Sequence, residues 1–416
     1  MTNQLKRSIK LPQAIALYVG AVIGAGVLVL PGSAADIAGP ASIISWCIVS
    51  LLGIPLALTF ASLAGKFPDA GGVATYAGNA FNEDIAAVVG WFYFFAAATG
   101  EIIIPLTGAY YAANYPGISR GGTYLIAAFI LMITVSANIR GLRASGSIAL
   151  FLSSAVVLML VFASGAAVPD ITRHWSPFMP DGWMSIGQAS VFIFYAFFGW
   201  EVISHLAEEF VDPERDMRRA TLWSVGVVTI LYVAIAAAVI GTGTYGTPEL
   251  NRTAVARLLS GAMGIGAGQV AAIIALVVAL GTSNAYIAGA SRLGYALARD
   301  GAFPRFLGKL DKNGVPVNAV LCVGIFAFIG LGVSWLFDWG VEDLLSVPNA
   351  LGIATYVIGL GAGYRLLTGK RRFMSLVGGT CCVVLMMFAG LSLLWPLGMA
   401  LIAVLYRRFN LQKCVR

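Results

Sequence analysis

Val19-Gly20-Ala21-Val22-Ile23-Gly24-Ala25-Gly26-Val27-Leu28 lies in the middle of the first long apolar stretch of the chain, and its reading decides the fold. From Leu11 to Ala35 there is no charged residue, which suffices for a helix of ~20 or more residues to cross a bilayer. Yet Gly24 and Gly26 sit at its centre, with Gly20 one turn before and Pro31 one turn after. Glycine weakens a helix interior and lets the backbone unwind. In lipid, unwound backbone survives only where protein buries it or where it lines a cavity. Two readings follow. The glycines allow close helix packing, as small-xxx-small patterns do, or they break the helix and leave N–H groups free to hold an anion such as a carboxylate.

Composition favours a membrane protein. Of 416 residues, 59% are hydrophobic and 11% charged, the mean hydropathy is +0.86, and apolar runs long enough to span recur throughout. We read an all-α polytopic protein with twelve spans near residues 12–36, 41–64, 85–113, 122–139, 147–168, 185–207, 219–241, 265–298, 316–337, 343–366, 373–391 and 393–407. With both termini in the cytoplasm, all but four of the 26 lysines and arginines face inward, the exceptions being Arg120, Arg173, Arg252 and Arg257. The net charge of +7 is therefore topological, and nucleic acid is not an expected partner. The basic start, Met1 to Lys10, leads into a stretch too long for a cleaved signal peptide. The five cysteines have no C-x-x-C pair and read as buried packing residues.

The sixth span repeats the peculiarity of the first. Phe192-Ile193-Phe194-Tyr195-Ala196-Phe197-Phe198-Gly199-Trp200-Glu201 puts a glycine and an acid inside an apolar helix. Five spans separate the two defects, and five is odd, so the second half enters from the opposite side. An inverted repeat whose first helices are both broken near the midplane points to a secondary-transporter site. On this reading residues 1–168 form the first repeat and 169–184 an external loop. Residues 185–366 form the second repeat, and 367–416 add two spans and a cytoplasmic tail.

Five motifs in order then carry a family resemblance. They are Ile23-Gly24-Ala25-Gly26-Val27; Pro68-Asp69-Ala70-Gly71-Gly72 with Tyr76 and Gly90-Trp91; Phe198-Gly199-Trp200-Glu201 with Glu208 to Arg215; Ser291-Arg292-Leu293 through Pro304; and Pro316-Val317-Asn318. From about Leu11 to Asn318 the chain resembles the amino acid–polyamine–organocation superfamily of transporters. The resemblance implies a leucine-transporter-like core of five plus five helices. Its length and brief tail are most similar to bacterial exporters of methionine and branched-chain amino acids, which implies the bacterial inner membrane.

The breaks name the candidate site. Ala25, Gly26 and Val27 would hold the substrate carboxylate through backbone N–H groups, as the resemblance also implies. Carbonyls of Tyr195, Ala196 and Phe198 would accept from the substrate ammonium. Ile23, Tyr195 and Phe198 beside them favour a hydrophobic side chain. Glu101, an acid inside the third span, is costly unless paired or protonated; it would bind an amine, meet a cationic side chain, carry a proton or serve a structural pair. Glu201, His205 and Glu209 are four apart and share one helix face, fit for a proton relay, an inner gate or a plain helix-end ladder.

Coupling is read partly through the resemblance. Sodium-coupled relatives use eighth-span hydroxyls, a role open to Thr282 and Ser283, whereas a fifth-span lysine that replaces the ion in other relatives has no counterpart from Ser147 to Val168. Proton antiport through Glu201 or Glu101 is preferred over sodium. Two histidines and no H-E-x-x-H leave no constellation for an enzyme, a metal or a cofactor, and broken helices imply occlusion rather than a channel's continuous pore. The expectation is export of neutral hydrophobic amino acids (methionine, leucine, isoleucine, valine). A cationic amino acid or amine exchanger is the alternative, and the oligomeric state stays open.

Overall fold

In a bilayer the backbone has to satisfy its own hydrogen bonds, so apolar runs of this length fold as helices. The computed structural model describes residues 11–67, 72–114, 118–141, 146–200 and 213–415, and no strand occurs among them. The helices are α1 (Leu11–Val22), α2 (Leu30–Ala38), α3 (Ser42–Lys66), α4 (Val73–Ala80), α5 (Glu83–Asn114) and α6 (Arg120–Ile139). They continue with α7 (Gly146–Ala166), α8 (Gly182–Ile193), α9 (Pro213–Thr242), α10 (Pro248–Met263) and α11 (Ile265–Arg299). The chain ends with α12 (Val317–Leu336), α13 (Val341–Leu344), α14 (Ser346–Leu366), α15 (Gly369–Met386) and α16 (Leu394–Val415). Among the described residues, 8 helical segments are long and apolar enough to cross a membrane. Large apolar side chains such as Leu125, Phe129, Ile230, Ile273 and Ile329 face outward, as a lipid-solvated exterior requires.

The core is organised on α5, whose most apolar window is 78% buried against 11% for that of the peripheral α16. Its neighbours include α11, α6, α12 and α14. Glycines let α5 and α11 come close: a Cβ at Gly108 would stand 2.5 Å from Ala279, one at Gly90 2.4 Å from Leu297, and one at Gly294 2.8 Å from Phe94. Without a hydrophobic drive between helices in lipid, such close backbone packing is a main source of cohesion.

Residues 242–264 fall between the seventh and eighth spans of the sequence reading, and α10 occupies most of them, started by Thr247, whose hydroxyl accepts from the Leu250 N–H, and by Pro248 in the first turn. Arg252 and Arg257 and a kink at Thr253 hid its apolar face of Ala254, Val255, Leu258 and Leu259. This face packs on α2 and α11. Its Arg252 pairs with Glu342 of α13 at 3.2 Å and stacks 4.8 Å from the Tyr110 ring centroid, while the Ser33 hydroxyl of α2 donates to the same carboxylate.

The cysteines need correction. Among the cysteines whose side chains are described, only Cys382 is buried; Cys322 is partly covered, and Cys47 and Cys381 are exposed on the outside of the helices. An apolar helix presents a thiol to lipid as readily as to a core, so its apolar context did not decide the face.

The contact between α2 and α10 has no room for a side chain. A Cβ on Gly32 would stand 2.6 Å from the Asn251 Cα and carbonyl oxygen, whereas one on Gly24 would meet nothing within 4 Å. Gly32→Ala is expected to cost about 1–3 kcal/mol by overpacking and to lower the melting temperature of the detergent-purified protein by a few degrees. Gly24→Ala in the same assay is expected to leave it nearly unchanged.

Candidate functional site

The first long apolar stretch is broken where its glycines stand. α1 ends at Val22; the Ile23 N–H still reaches the Val19 carbonyl at 2.8 Å, and the Gly24 N–H turns back to Val22 at 2.9 Å. Gly24 is extended (φ −94°, ψ −170°), a 3₁₀ turn runs over Ala25–Leu28, and α2 follows from Leu30. A turn that starts at Ala25 leaves the N–H groups of Ala25 and Gly26 ahead of its first internal bond; Val27 is the first residue whose N–H can fold back, onto the Gly24 carbonyl. The side chains of Ile23, Ala25 and Val27 are buried, while Gly24 and Gly26 are only partly covered.

The sixth apolar stretch is broken at the matching place. α8 runs into a 3₁₀ turn over Phe194–Phe197, Phe198 is extended (φ −69°, ψ 145°), and Gly199 has φ 121°, a backbone state that side-chain-bearing residues avoid. The two 3₁₀ turns touch. Tyr195 joins them: a Cβ on Gly26 would stand 3.0 Å from its ring, and one on Gly100 3.2 Å from its hydroxyl. Tyr195, Phe198 and Tyr286 are partly uncovered, and Phe198 meets Phe194, Tyr195 and Tyr356 edge-on with centroids 5.3–5.9 Å apart. At the breaks glycine backbone thus lies against aromatic rings.

Two buried tyrosines secure the carbonyls that the breaks release. The Tyr232 hydroxyl of α9 lies 3.0 Å from the Val22 carbonyl and 3.0 Å from that of Ala196, so one side chain spans both breaks. The Tyr111 hydroxyl of α5 donates to the Leu28 carbonyl at 2.8 Å. The Tyr195 carbonyl accepts from the Phe198 N–H at 3.3 Å. The carbonyls of Tyr195 and Ala196 are therefore already engaged, each with a second lone pair to offer. Sequence reasoning missed Tyr111 and Tyr232; their only signal was a phenol inside an apolar span, which has to find a partner.

Glu101 stands beside Gly100 on α5 and is fully buried. The Ser283 hydroxyl of α11 lies 2.7 Å from its Oε2 and 3.0 Å from the Thr134 hydroxyl of α6. Among the described residues the Oε1 of Glu101 has no hydrogen-bond partner, and neither has the Tyr195 hydroxyl. Ser283 therefore faces α5 and α6, and its hydroxyl is taken; Thr282 beside it is half-buried. Glu201, His205 and Glu209 lie outside the described residues. Among the described residues no group of His, Cys, Asp or Glu could hold a metal ion.

Comparison with known proteins decides the family. The family profile described as "Amino acid permease" matches residues 9–409. The chain belongs to the amino acid permease family. This permease is 35% identical over 413 residues to the uncharacterized amino acid permease YecA of Bacillus subtilis, covering 98% of this chain and 97% of that one. It is 27% identical to the L-methionine/branched-chain amino acid exporter YjeH of Escherichia coli, covering 94% of each. It is 30% identical to the branched-chain amino acid permease BcaP of Bacillus subtilis, covering 86% of this chain and 80% of the relative. The permease is a transporter and not an enzyme.

Since Tyr232 holds both breaks, Tyr232→Phe in the permease is expected to leave the Val22 and Ala196 carbonyls buried without that donor. The cost should be about 1–3 kcal/mol, read as a lower melting temperature with the helical circular dichroism intact. Tyr364→Phe on the surface serves as the control and is expected to melt like the parent protein.

Proposed function

We propose that the permease moves neutral hydrophobic L-amino acids, namely methionine, leucine, isoleucine and valine, across the bacterial inner membrane by alternating access, as an exporter driven by proton antiport. The observation that carries this reading is the meeting of two broken helices, glycine backbone against aromatic rings, deep inside an apolar protein. Broken helices that meet in this way fit a twelve-span protein with a five-plus-five inverted-repeat core and both termini in the cytoplasm. The first repeat takes α1 to α7 and the second α8 to α14, with α15 and α16 as the two further spans.

In this reading the substrate carboxylate binds the N–H groups of Ala25 and Gly26, with Val27 completing the turn. The ammonium binds the remaining lone pairs of the Tyr195, Ala196 and Phe198 carbonyls. Both contacts recognise what all amino acids share. Selection falls to the rings of Tyr195 and Phe198, with Ile23 at the rim, surfaces that reward an apolar side chain and offer a charged one nothing. The names of the relatives support the same substrate class: one is an exporter of methionine and branched-chain amino acids, another a branched-chain amino acid permease.

Glu101 is the proton carrier in this scheme, with Glu201 and His205 as further coupling residues. An acid enclosed in apolar helices has few other reasons to be there. Ser283 is committed to Glu101, so a sodium site shared by Thr282, Ser283 and the first broken helix lacks one of its hydroxyls. Proton coupling is the better-supported choice.

Thermal stabilisation of the purified permease by each of the twenty amino acids tests the substrate class. Ligand at 100 times its Kd stabilises by about 2.7 kcal/mol, so leucine, isoleucine, valine and methionine are expected to raise the melting temperature. Gly26→Leu is expected to abolish that shift, because even its Cβ would press on Tyr195 at 3.0 Å. A shift with arginine, lysine or ornithine instead would overturn the hydrophobic assignment in favour of a cationic amino acid or amine exchanger.

A further inference from the structure

The hydrogen bonds around Glu101 have a property that a merely structural pairing does not need. Ser283 lies within bonding distance of two oxygens, Glu101 Oε2 at 2.7 Å and Thr134 Oγ1 at 3.0 Å, but a hydroxyl carries one proton. Thr134 in turn reaches the carbonyls of Ile130 at 3.1 Å and Leu131 at 3.0 Å. The three side chains therefore have two self-consistent arrangements. With a neutral carboxyl, Glu101 donates to Ser283, Ser283 to Thr134, and Thr134 to its own helix carbonyls. With a carboxylate, Ser283 turns to donate to Glu101, and Thr134 turns away from those carbonyls to donate to Ser283. One proton on Glu101 thus sets the direction of every hydroxyl in the row.

The row leads somewhere. One turn beyond Thr134 on the same face of α6, the Asn138 side-chain amide donates to the Thr134 carbonyl at 2.9 Å and to the Asn284 side chain of α11 at 2.9 Å. Past this amide pair lies a cavity of about 20 Å³ lined by Asn138, Ser291, Arg292 and Pro316, room for a water molecule. It opens at the end of the helices where Arg140 and Arg292 stand. Covering falls in steps from Glu101 and Ser283 (0% exposed) to Thr134 (2%) and Asn138 (6%). The other carboxyl oxygen, Oε1, and the Tyr195 hydroxyl at the breaks have no hydrogen-bond partner among the described residues. The phenol of Tyr195, from the turn after α8, faces Glu101 as a titratable group, and Tyr286 of α11 lies beside the neighbouring Gly100. Among the described residues no charged side chain forms an ion pair with it.

We propose that Ser283 and Thr134 form a proton wire that connects Glu101 to the basic face of the permease, with the Asn138–Asn284 amide pair as its plug. The inference rests on the proton-antiport reading above and specifies the route. In the outward step from Glu101, its carboxylic O–H breaks as the proton passes to Ser283 Oγ. The Ser283 proton passes to Thr134 Oγ1, and the Thr134 proton to a water admitted past the amides. Only O–H bonds are exchanged. A carboxylate remains, and the proton leaves as hydronium. Reprotonation runs the same steps backwards. The wire lies between α5, α6 and α11, apart from the backbone at the breaks, so losing it should uncouple transport from the proton without removing the substrate contacts.

The test follows the carboxylic C=O stretch of Glu101 by infrared spectroscopy, identified as the band lost in Glu101→Gln, after transfer of the permease in nanodiscs to heavy water. Protein and Ser283→Thr, which keeps the hydroxyl, are expected to exchange this proton fast; Ser283→Ala and Thr134→Val are expected to exchange at least tenfold more slowly. In proteoliposomes the same two variants should lose ΔpH-driven methionine flux by a similar factor while retaining methionine-induced thermal stabilisation. Exchange as fast in both hydroxyl-less variants as in the parent overturns the wire, as does the absence at every pH of a carboxylic band that depends on Glu101. Slowed exchange in the two hydroxyl-less variants, together with parent flux that ignores ΔpH, keeps the wire and overturns the antiport reading instead.

Discussion

A peptide group out of its helix and out of water has to be bonded by something else, and the structure depends on how that demand is met. Breaking two helices inside an apolar protein releases carbonyls at Val22, Leu28 and Ala196, each costing several kcal/mol if left bare in hydrocarbon. Tyr232 and Tyr111 meet the demand. They do so with phenols, and the ring of Tyr232 is at home among Trp46 and Phe197 while its hydroxyl reaches backbone. The breaks are therefore built features with their own supports, and those supports serve carbonyls rather than the N–H groups at Ala25 and Gly26.

The parts of this arrangement that lie within one stretch of chain were legible in the sequence. Gly24, Gly26 and Gly199 announced the breaks, and charge-free runs announced the helices. What joined stretches far apart was not legible. Tyr232 meets a carbonyl 210 residues away, and Ser283 meets Glu101 at a separation of 182; no periodicity encodes such pairs. The helix α10 was hidden for a different reason. Its charges belong to partners on other elements, Arg252 to Glu342 and Arg257 to Asn114, so a window that sees only polarity reads a loop. Ser283 was read as a hydroxyl open to a coupling ion, with no partner named, because a place in the sequence gives its height along α11 and leaves its direction open.

Packing explains why Glu101 and Ser283 find each other. The glycines at Gly90, Gly108 and Gly294 remove the side chains that would hold α5 and α11 apart, and a short hydroxyl can then reach a carboxyl across the seam. A wider spacing would leave Glu101 with two empty oxygens in an apolar medium, a cost that such a medium magnifies. The same closeness makes this pair of helices a poor candidate for large movement, because sliding would drive Leu297 into Gly90 and Phe94 into Gly294. The proposed proton route thus sits on the stiff part of the protein.

The broken elements are held differently. α2 packs on α10, and α10 is tied to α13 by the Arg252–Glu342 pair, whose side chains are 24% and 26% exposed. A partly hydrated ion pair is worth little more than a surface one and can open at small cost. Tyr232 is held just as lightly at each end. One phenolic proton cannot make two full hydrogen bonds, so two carbonyls at 3.0 Å share what would be a single strong interaction. Any movement that separates the end of α1 from the second break lets the hydroxyl commit to one of them and recover most of what the other loses. Strong van der Waals contact in the α5–α11 seam and divided hydrogen bonds at the breaks thus place rigidity and compliance on different helices, as a protein must if its site is to change its exposure without dismantling its core.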